Sequence, residues 1–459
     1  MKIKQMKKFR TASALVAIAT FLAACGAGGG SGATGSAGST GGQGGGSTGQ
    51  TSTPTASGGL FTTLYQFGLN TTDPTQGKYL TQASDGSFYG ASRSGGANAM
   101  GAIFHYGQNT LTVLYSFSAN VYPAAGRCSP GMQDSTCSQV GPDAQVPSGR
   151  LSFDAAGNLF GLSMSGGAQV LGSGPSPVND FSNGTIYSLP PSGGHDSVLQ
   201  SFHSTANSNT GAIWPVGSLA AAPDGTLYGV TQTGGTGNTG AVFLYNPNTT
   251  VFSTVYSFGA TGSGDPAQPN SGLILGPDGN LWGTTYVGGA NGNGAVYKLT
   301  PGGTAVTVVY SFGPSSGTDG ANPTAALIIG SDGALYGSTR YGGANGTGTI
   351  FRITTGGSYS QLHSFGVAGS GDGVNPIDAM VAGLNGRLYG TTLAGGANNL
   401  GSIFTMTNSG TIVILYSFTG GNDGQAPGGL ALDSQMGNLY GTTTARGQYG
   451  GGTLFMMTP

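Results

Sequence analysis

The chain has 459 residues, of which 7% are charged and 91 are glycine, with a formal net charge of −2. It carries no basic stripe or tail, which speaks against nucleic acid as a partner, because that binding rests on clustered Lys and Arg. The glycine is unpatterned before residue 60 and falls at fixed offsets afterwards, so composition argues for disorder only in the first part.

Met1 to Ala24 reads as a targeting segment. Lys2, Lys4, Lys7, Lys8 and Arg10 form a basic start, and Ala14 to Ala24 an apolar stretch too short to span a bilayer. Leu22-Ala23-Ala24-Cys25 resembles the lipobox of bacterial lipoproteins. The resemblance implies cleavage before Cys25 and acylation of that residue, and several acyl chains anchor stably where one is marginal. Gly26, in place of an inner-membrane retention aspartate, implies an outer-membrane address. The alternative is an ordinary signal peptide with a chance cysteine. Removal of the segment takes five of the 14 basic residues and no acids, leaving nine against 16, about −7. Gly26 to Gly59 is Gly, Ser, Thr, Ala and Gln almost throughout. It is expected to be a flexible linker with a root-mean-square span of roughly 30–35 Å.

From Leu60 the chain repeats one unit seven times, at a spacing that signals propellers or solenoids. The fourth unit shows its four apolar runs, a to d, at about 271–276, 280–285, 294–300 and 305–312. Turn residues bound each run, so they read as strands. Asp85-Gly86, Asp224-Gly225, Asp278-Gly279, Asp332-Gly333 and Asn385-Gly386 are hairpin signals between a and b. Pro323 and Pro376 are expected to open strand a. The glycine inside each strand b should admit an aromatic ring or a neighbouring backbone, and Trp282 is expected to fill core. The last unit stops at a strand c, Thr453 to Met457, while Leu60 to Phe67 is a lone strand d. These two deficits complete each other only in a ring. The expectation is an all-β, seven-bladed propeller with four-stranded blades, closed by the N-terminal strand.

Several motifs recur together. They include Leu388-Tyr389-Gly390-Thr391-Thr392, Gly288-Gly289-Ala290-Asn291-Gly292-Asn293-Gly294, Leu415-Tyr416-Ser417-Phe418 and Asp319-Gly320-Ala321-Asn322-Pro323. Their combination resembles the GloVer tandem repeat of bacterial surface proteins, over nearly all of Leu60 to Pro459. The resemblance implies a repeat body with a variable attachment device, here Cys25. It brings no established activity and no catalytic residues. A weaker likeness to kelch propellers bears on the fold alone.

The d–a and b–c loops should share one face of such a ring. Both large departures from the repeat, about 118–146 and 164–183, fall in those loops, with Trp214 in the next d–a loop. Long loops on a rigid scaffold are where binding usually sits, which makes Arg127 and Trp214 candidate contacts; drift in a tolerated loop is the alternative. Cys128 and Cys137 form an even pair in an oxidising compartment and are expected to be disulfide-bonded, worth about 2–3 kcal/mol. Asp73, Asp143, Asp265, Asp319, Asp372 and Asp423 recur in the d–a loops. They read first as turn-forming residues, and alternatively as an acidic rim for calcium; no other cofactor is expected. HExxH and phosphate-loop signatures are missing, and His105, His195, His203 and His363 are scattered. The leading expectation is a monomeric, lipid-anchored propeller that binds protein or glycan without catalysis. The alternative is an extracellular lyase or glycosidase, which needs carboxylates or histidines converging on the ring axis. A structural envelope component is a third possibility.

Overall fold

The computed structural model describes residues 53–54, 59–118, 143–154, 156–167, 170–171, 179–180, 183–203, 211–260, 262, 264–314, 317–367 and 371–459. The targeting segment, Cys25, and Arg127, Cys128 and Cys137 lie outside them.

Among these residues there is no helix, and seven antiparallel four-stranded sheets follow one another along the chain. Blade 4 shows the plan. Strand a is Pro266–Pro269 with Ile274–Leu275, b is Leu281–Gly288, c is Ala295–Leu299 and d is Thr307–Ser311. Blade 7 takes strands a to c from Gln425–Pro427 with Ala431–Leu432, Leu439–Ala445 and Thr453–Thr458. Its strand d is Leu60–Gln66, with Thr62 opposite Met456. The ring therefore closes as the two chain-end deficits require. Phe61 stacks on Tyr416 at 4.0 Å and on Phe455 at 5.1 Å, and Phe67 is fully buried. At about 1.5–3 kcal/mol per large apolar side chain, these contacts rival the net stability of a domain. Thr53 and Pro54, expected in the linker, pair with Phe61 and Leu60 along the outer edge of this blade.

The glycine of strand b does what the sequence suggests. A Cβ at Gly90, Gly229, Gly337 or Gly441 would overlap the ring of Phe104, Phe243, Phe351 or Phe455 from the adjacent strand c. Small-residue access for a ring is the reason for glycine at that point. The ring then packs against the end of strand d of the preceding blade: Phe312 of blade 4 lies 5.3 Å from Phe351 of blade 5, and Phe258 of blade 3 lies 5.1 Å from Tyr297 of blade 4. Trp282 is fully buried, as expected.

Strand a departs from expectation. It starts at the Asp-x-x-x-Pro segment, some residues earlier than the apolar run implies, and breaks in the middle. Pro323 does not open it but ends its first part, paired with Thr339, and pairing resumes at Ile328. Pro376 likewise lies between Gly373–Val374 and Val381–Ala382. The cause is the residue before the proline. Asn322 has φ 56°, Asn375 54°, Gln268 54° and Trp214 59°, a left-handed conformation rare for such residues. It turns the N–H away from the sheet and onto the b–c loop of the preceding blade: Asn322 N donates to Asn293 O at 2.8 Å, and Trp214 N to Asn183 O at 2.9 Å. The strained residue is thus the stitch between blades, and it places the d–a and b–c loops on one face, here called upper.

Candidate functional site

The a strands line the ring axis, and the axis divides into three levels. On the upper face a basin of about 250 Å³ is walled by Lys78, Tyr79, Arg93, Gln232, Asn270 and Thr324. In the middle the wall is small: Gly149, Gly217, Gly272 and Ala325 let the backbones of neighbouring strands approach, leaving about 40 Å³ beside Arg150 and Asp378. The lower end opens into a funnel of about 440 Å³ lined chiefly by Leu80, Leu219, Leu273, Ile274, Val381 and Leu432.

Arg150 closes the middle level. Its Nη1 donates to Leu80 O at 2.8 Å in blade 1, and its Nη2 to Leu430 O at 2.7 Å in blade 7. Burial lowers its affinity for the proton, and the nearby Asp378 carboxylate works against that. Asp378 is 4% exposed. Its Oδ1 faces the Lys78 ammonium at 3.6 Å, while Oδ2 meets no hydrogen-bond partner among the described residues. Burial pulls the Lys78 pKa down, but Asp378 and Tyr79 outweigh it and hold the ammonium firmly protonated. The ammonium also sits 4.9 Å from the centre of the Tyr79 ring. Above them Arg93 is exposed, with its Nη2 3.7 Å from the Met164 sulfur. Gln232 Nε2 donates to Asn270 Oδ1 at 3.3 Å, completing an amide wall. Three cations and one carboxylate therefore converge on the axis.

The carboxylates of the d–a loops are engaged elsewhere. Tyr256 donates to Asp265 at 2.8 Å, Tyr310 to Asp319 at 2.8 Å, Tyr65 to Asp73 at 3.0 Å and Tyr416 to Asp423 at 2.9 Å. His363 takes the same role toward Asp372 at 3.0 Å. Each tyrosine or histidine stands two residues before the phenylalanine that closes strand d. Asp143 accepts from Ser118 N and its hydroxyl. These bonds tie each outer strand to the start of the next inner one, at about 1.5–3 kcal/mol for a hydrogen bond to a charged group. Burial first, and then the bond to Asp73, push the Tyr65 phenol up to about 12. A signal for this tie was in the sequence: where strand d has Gln200 in place of Tyr, the following loop, 203–211, has no aspartate.

Trp214 is 43% exposed on the upper face, two residues before Val216, which lines the axial basin. The central parts of the two long loops lie outside the described residues, apart from a short ladder that pairs Val170 with Asp180. Lys78, Arg93, Arg150 and Asp378 were missed. Their signal is departure from the repeat: Arg150 stands where other blades have Ser218, Gly272, Ala326 and Ala379, and Asp378 where they have Gly149, Gly217, Ser271 and Ala325.

The enzymatic alternative required carboxylates or histidines converging on the axis. Among the described residues lining it, Asp378 is the one carboxylate and no histidine is present.

The profile of the Gloeobacter/Verrucomicrobia repeat matches residues 176–378 and 367–459. No curated protein matches the sequence. Among solved structures, an oligogalacturonate lyase in complex with manganese is similar at 12% identity and a TM-score of 0.52, with 89% of this chain and 96% of that one covered. An oligogalacturonate lyase from Vibrio parahaemolyticus gives 9% identity over the same shares, with a TM-score of 0.52. The extracellular domain of a one-component system from B. thetaiotaomicron gives 12% identity and a TM-score of 0.49 over 86% of this chain, which spans 39% of that protein's chain. Likeness at such identities concerns the fold alone.

Proposed function

The chain belongs to the Gloeobacter/Verrucomicrobia repeat family, and from the geometry of its axis we propose that it is a non-enzymatic binding propeller whose upper basin receives an acidic glycan. The observation that carries this reading is the convergence of Lys78 and Arg93 on a polar basin, above a middle level where Arg150 sits beside the single axial carboxylate, Asp378. Arg93 is the recognition group. Its guanidinium is exposed, planar and suited to a bidentate carboxylate. Lys78 adds charge from below, and the Gln232–Asn270 amides offer donors and acceptors to sugar hydroxyls. Asp378 and Arg150 brace the floor. Glycosidase chemistry has less support, because it uses two carboxyl groups about 5–9.5 Å apart and the axis supplies one.

Lys2 to Arg10, the short apolar stretch and Cys25 support display outside the cytoplasm on a lipid anchor. Loss of fatty-acid labelling in a Cys25→Ser variant tests that part alone.

Isothermal titration of the mature protein with galacturonate and glucuronate oligomers tests the basin. Binding that weakens with salt and falls at least about tenfold in Arg93→Ala is the expected result, a tenfold change being about 1.4 kcal/mol. No binding to any uronate oligomer, or binding indifferent to Arg93, refutes the reading.

A further inference from the structure

The largest cavity described, about 900 Å³, is on the lower face where blade 7 meets blade 1. Its origin lies in one residue. In blades 4 to 6 the a–b turn opens on glycine: Gly276, Gly330 and Gly383. The ring of strand b lies over that glycine, and a Cβ there would run into Trp282, Tyr336 or Tyr389. The polar tip of each ring is then satisfied by its own turn. Trp282 Nε1 donates to Asp278 at 2.9 Å, Tyr336 Oη donates to Asp332 at 3.0 Å, and Tyr389 Oη accepts from Asn385 at 2.7 Å. Blades 1 and 3 have Ala83 and Ala222 instead. There the hydroxyl reaches the c–d turn of the next blade: Tyr89 donates to Pro191 O at 3.5 Å, and Tyr228 accepts from Gly302 N at 2.8 Å.

Blade 7 has neither solution. Asp433 occupies the glycine position, in a turn of six residues to Asn438 against five from Gly276 to Asn280. Its carboxylate accepts from Gln435 N, Met436 N and Gln82 Nε2 rather than from a ring. The next blade's c–d turn is a tight hairpin, with Gln108 and Asn109 both left-handed at φ 51° and 60°. It is too short to deliver a partner. Tyr440 therefore swings out and stacks on Phe88 at 4.2 Å, 6.4 Å from Tyr106. Phe88 itself stands where the other blades have leucine. Among the described residues neither the Tyr440 nor the Tyr106 hydroxyl finds a hydrogen-bond partner.

We propose that this cleft binds a neutral saccharide, with Tyr440 as its central contact. An aromatic face suits the C–H face of a sugar, and the open phenols, Asn109 and Gln435 suit its hydroxyls. Asp85 and Asp433 line the cleft with no Lys or Arg beside them. Hydrogen bonds from Ser87 hold the Asp85 carboxyl below its usual range, so it is ionised at neutral pH. An anionic ligand is therefore disfavoured, which separates this cleft from the upper basin and leaves the inference independent of the reading given there.

The experiment is a chemical-shift titration of the full mature chain with gluco-, galacto- and N-acetylglucosamine oligosaccharides up to about 10 mM, the weak end of measurable affinity. At least one should bind, and galacturonate oligomers should not displace it. Tyr440→Phe, which keeps the ring, should weaken it about tenfold. Asp433→Gly, which restores the glycine of blades 4 to 6 and lets Tyr440 return over its own turn, should abolish it without lowering the melting temperature. Absence of binding across the panel, or binding unchanged in both variants, overturns the proposal.

Discussion

Blades 4 to 6 and the arc formed by blades 7, 1 and 2 are built from the same unit and end in different chemistry. In blades 4 to 6 the polar groups of the motif answer one another. Asn291 Nδ2 donates to Phe312 O at 2.9 Å, Ala290 N to Ser311 Oγ at 3.1 Å, and Tyr310 to Asp319. The same bonds recur in the next blade through Asn345 and Ala344. In the other arc, Lys78 and Arg150 stand at register positions that hold small or neutral residues in blades 4 to 6, and Asp433 stands where those blades have Gly276, Gly330 and Gly383; Arg93 has a counterpart in Arg340 of blade 5. These are the positions that open the basin and the cleft. The repeat therefore makes the scaffold, and its exceptions make the places where a ligand can bind.

Four experiments can break or sharpen that contrast. The largest effect belongs to the closing strand: without Leu60 to Phe67 the apolar edge of Thr453–Thr458 is bare, and no cooperative melt should be seen by calorimetry. A transition near the parent temperature would show that the arc does not depend on closure. Next is Gly337→Ala in the regular arc. The new Cβ meets the Phe351 ring, and overpacking of this kind costs about 1–3 kcal/mol, readable in urea melts. A neutral result would mean that the regular blades are looser than their packing implies.

The third concerns Asp196, between blades 1 and 2. It occupies the strand-d position that is Tyr359 in blade 5, where that hydroxyl donates to Asp319 at 2.8 Å. Burial first, and then the Asp143 carboxylate, push the Asp196 pKa up to about 7. A folded pKa raised above the unfolded value means that the folded state holds the extra proton between about pH 4 and 7. Stability should therefore fall as pH rises through that window, and Asp196→Asn should flatten the slope in melts at pH 5 and 8. An identical slope in the variant would remove the shared proton from this interface. The smallest effect is Arg93→Ala. The side chain is exposed, so stability should stay within about 0.5 kcal/mol while uronate binding falls. A large loss of stability would make Arg93 part of the scaffold.

Most of the ring was legible because its evidence is one-dimensional. Strand period, turn residues and the missing strand at each end are properties of order along the chain. The start of strand a was misplaced because the Asp-x-x-x-Pro segment looks polar. Its pairing depends on a left-handed residue whose N–H is held by a different blade, as Asn322 is held by Asn293. The carboxylates were legible as residues and not as partners, although the paired loss of Tyr and Asp around Gln200 announces the bond. The axis was the least legible part. Arg150 and Asp378 sit far apart in the chain, in sequence contexts that show no motif, and only the ring brings them together.

The closing sheet of blade 7 has a consequence for biogenesis. Thr62 has to wait for Met456, so a chain still being synthesised cannot finish this sheet until Thr453–Thr458 has been made. Any sugar lodged against Tyr440 would bind the completed ring and no partly made chain. It would then act as a clasp, drawing the last step of assembly forward by mass action wherever that sugar is abundant.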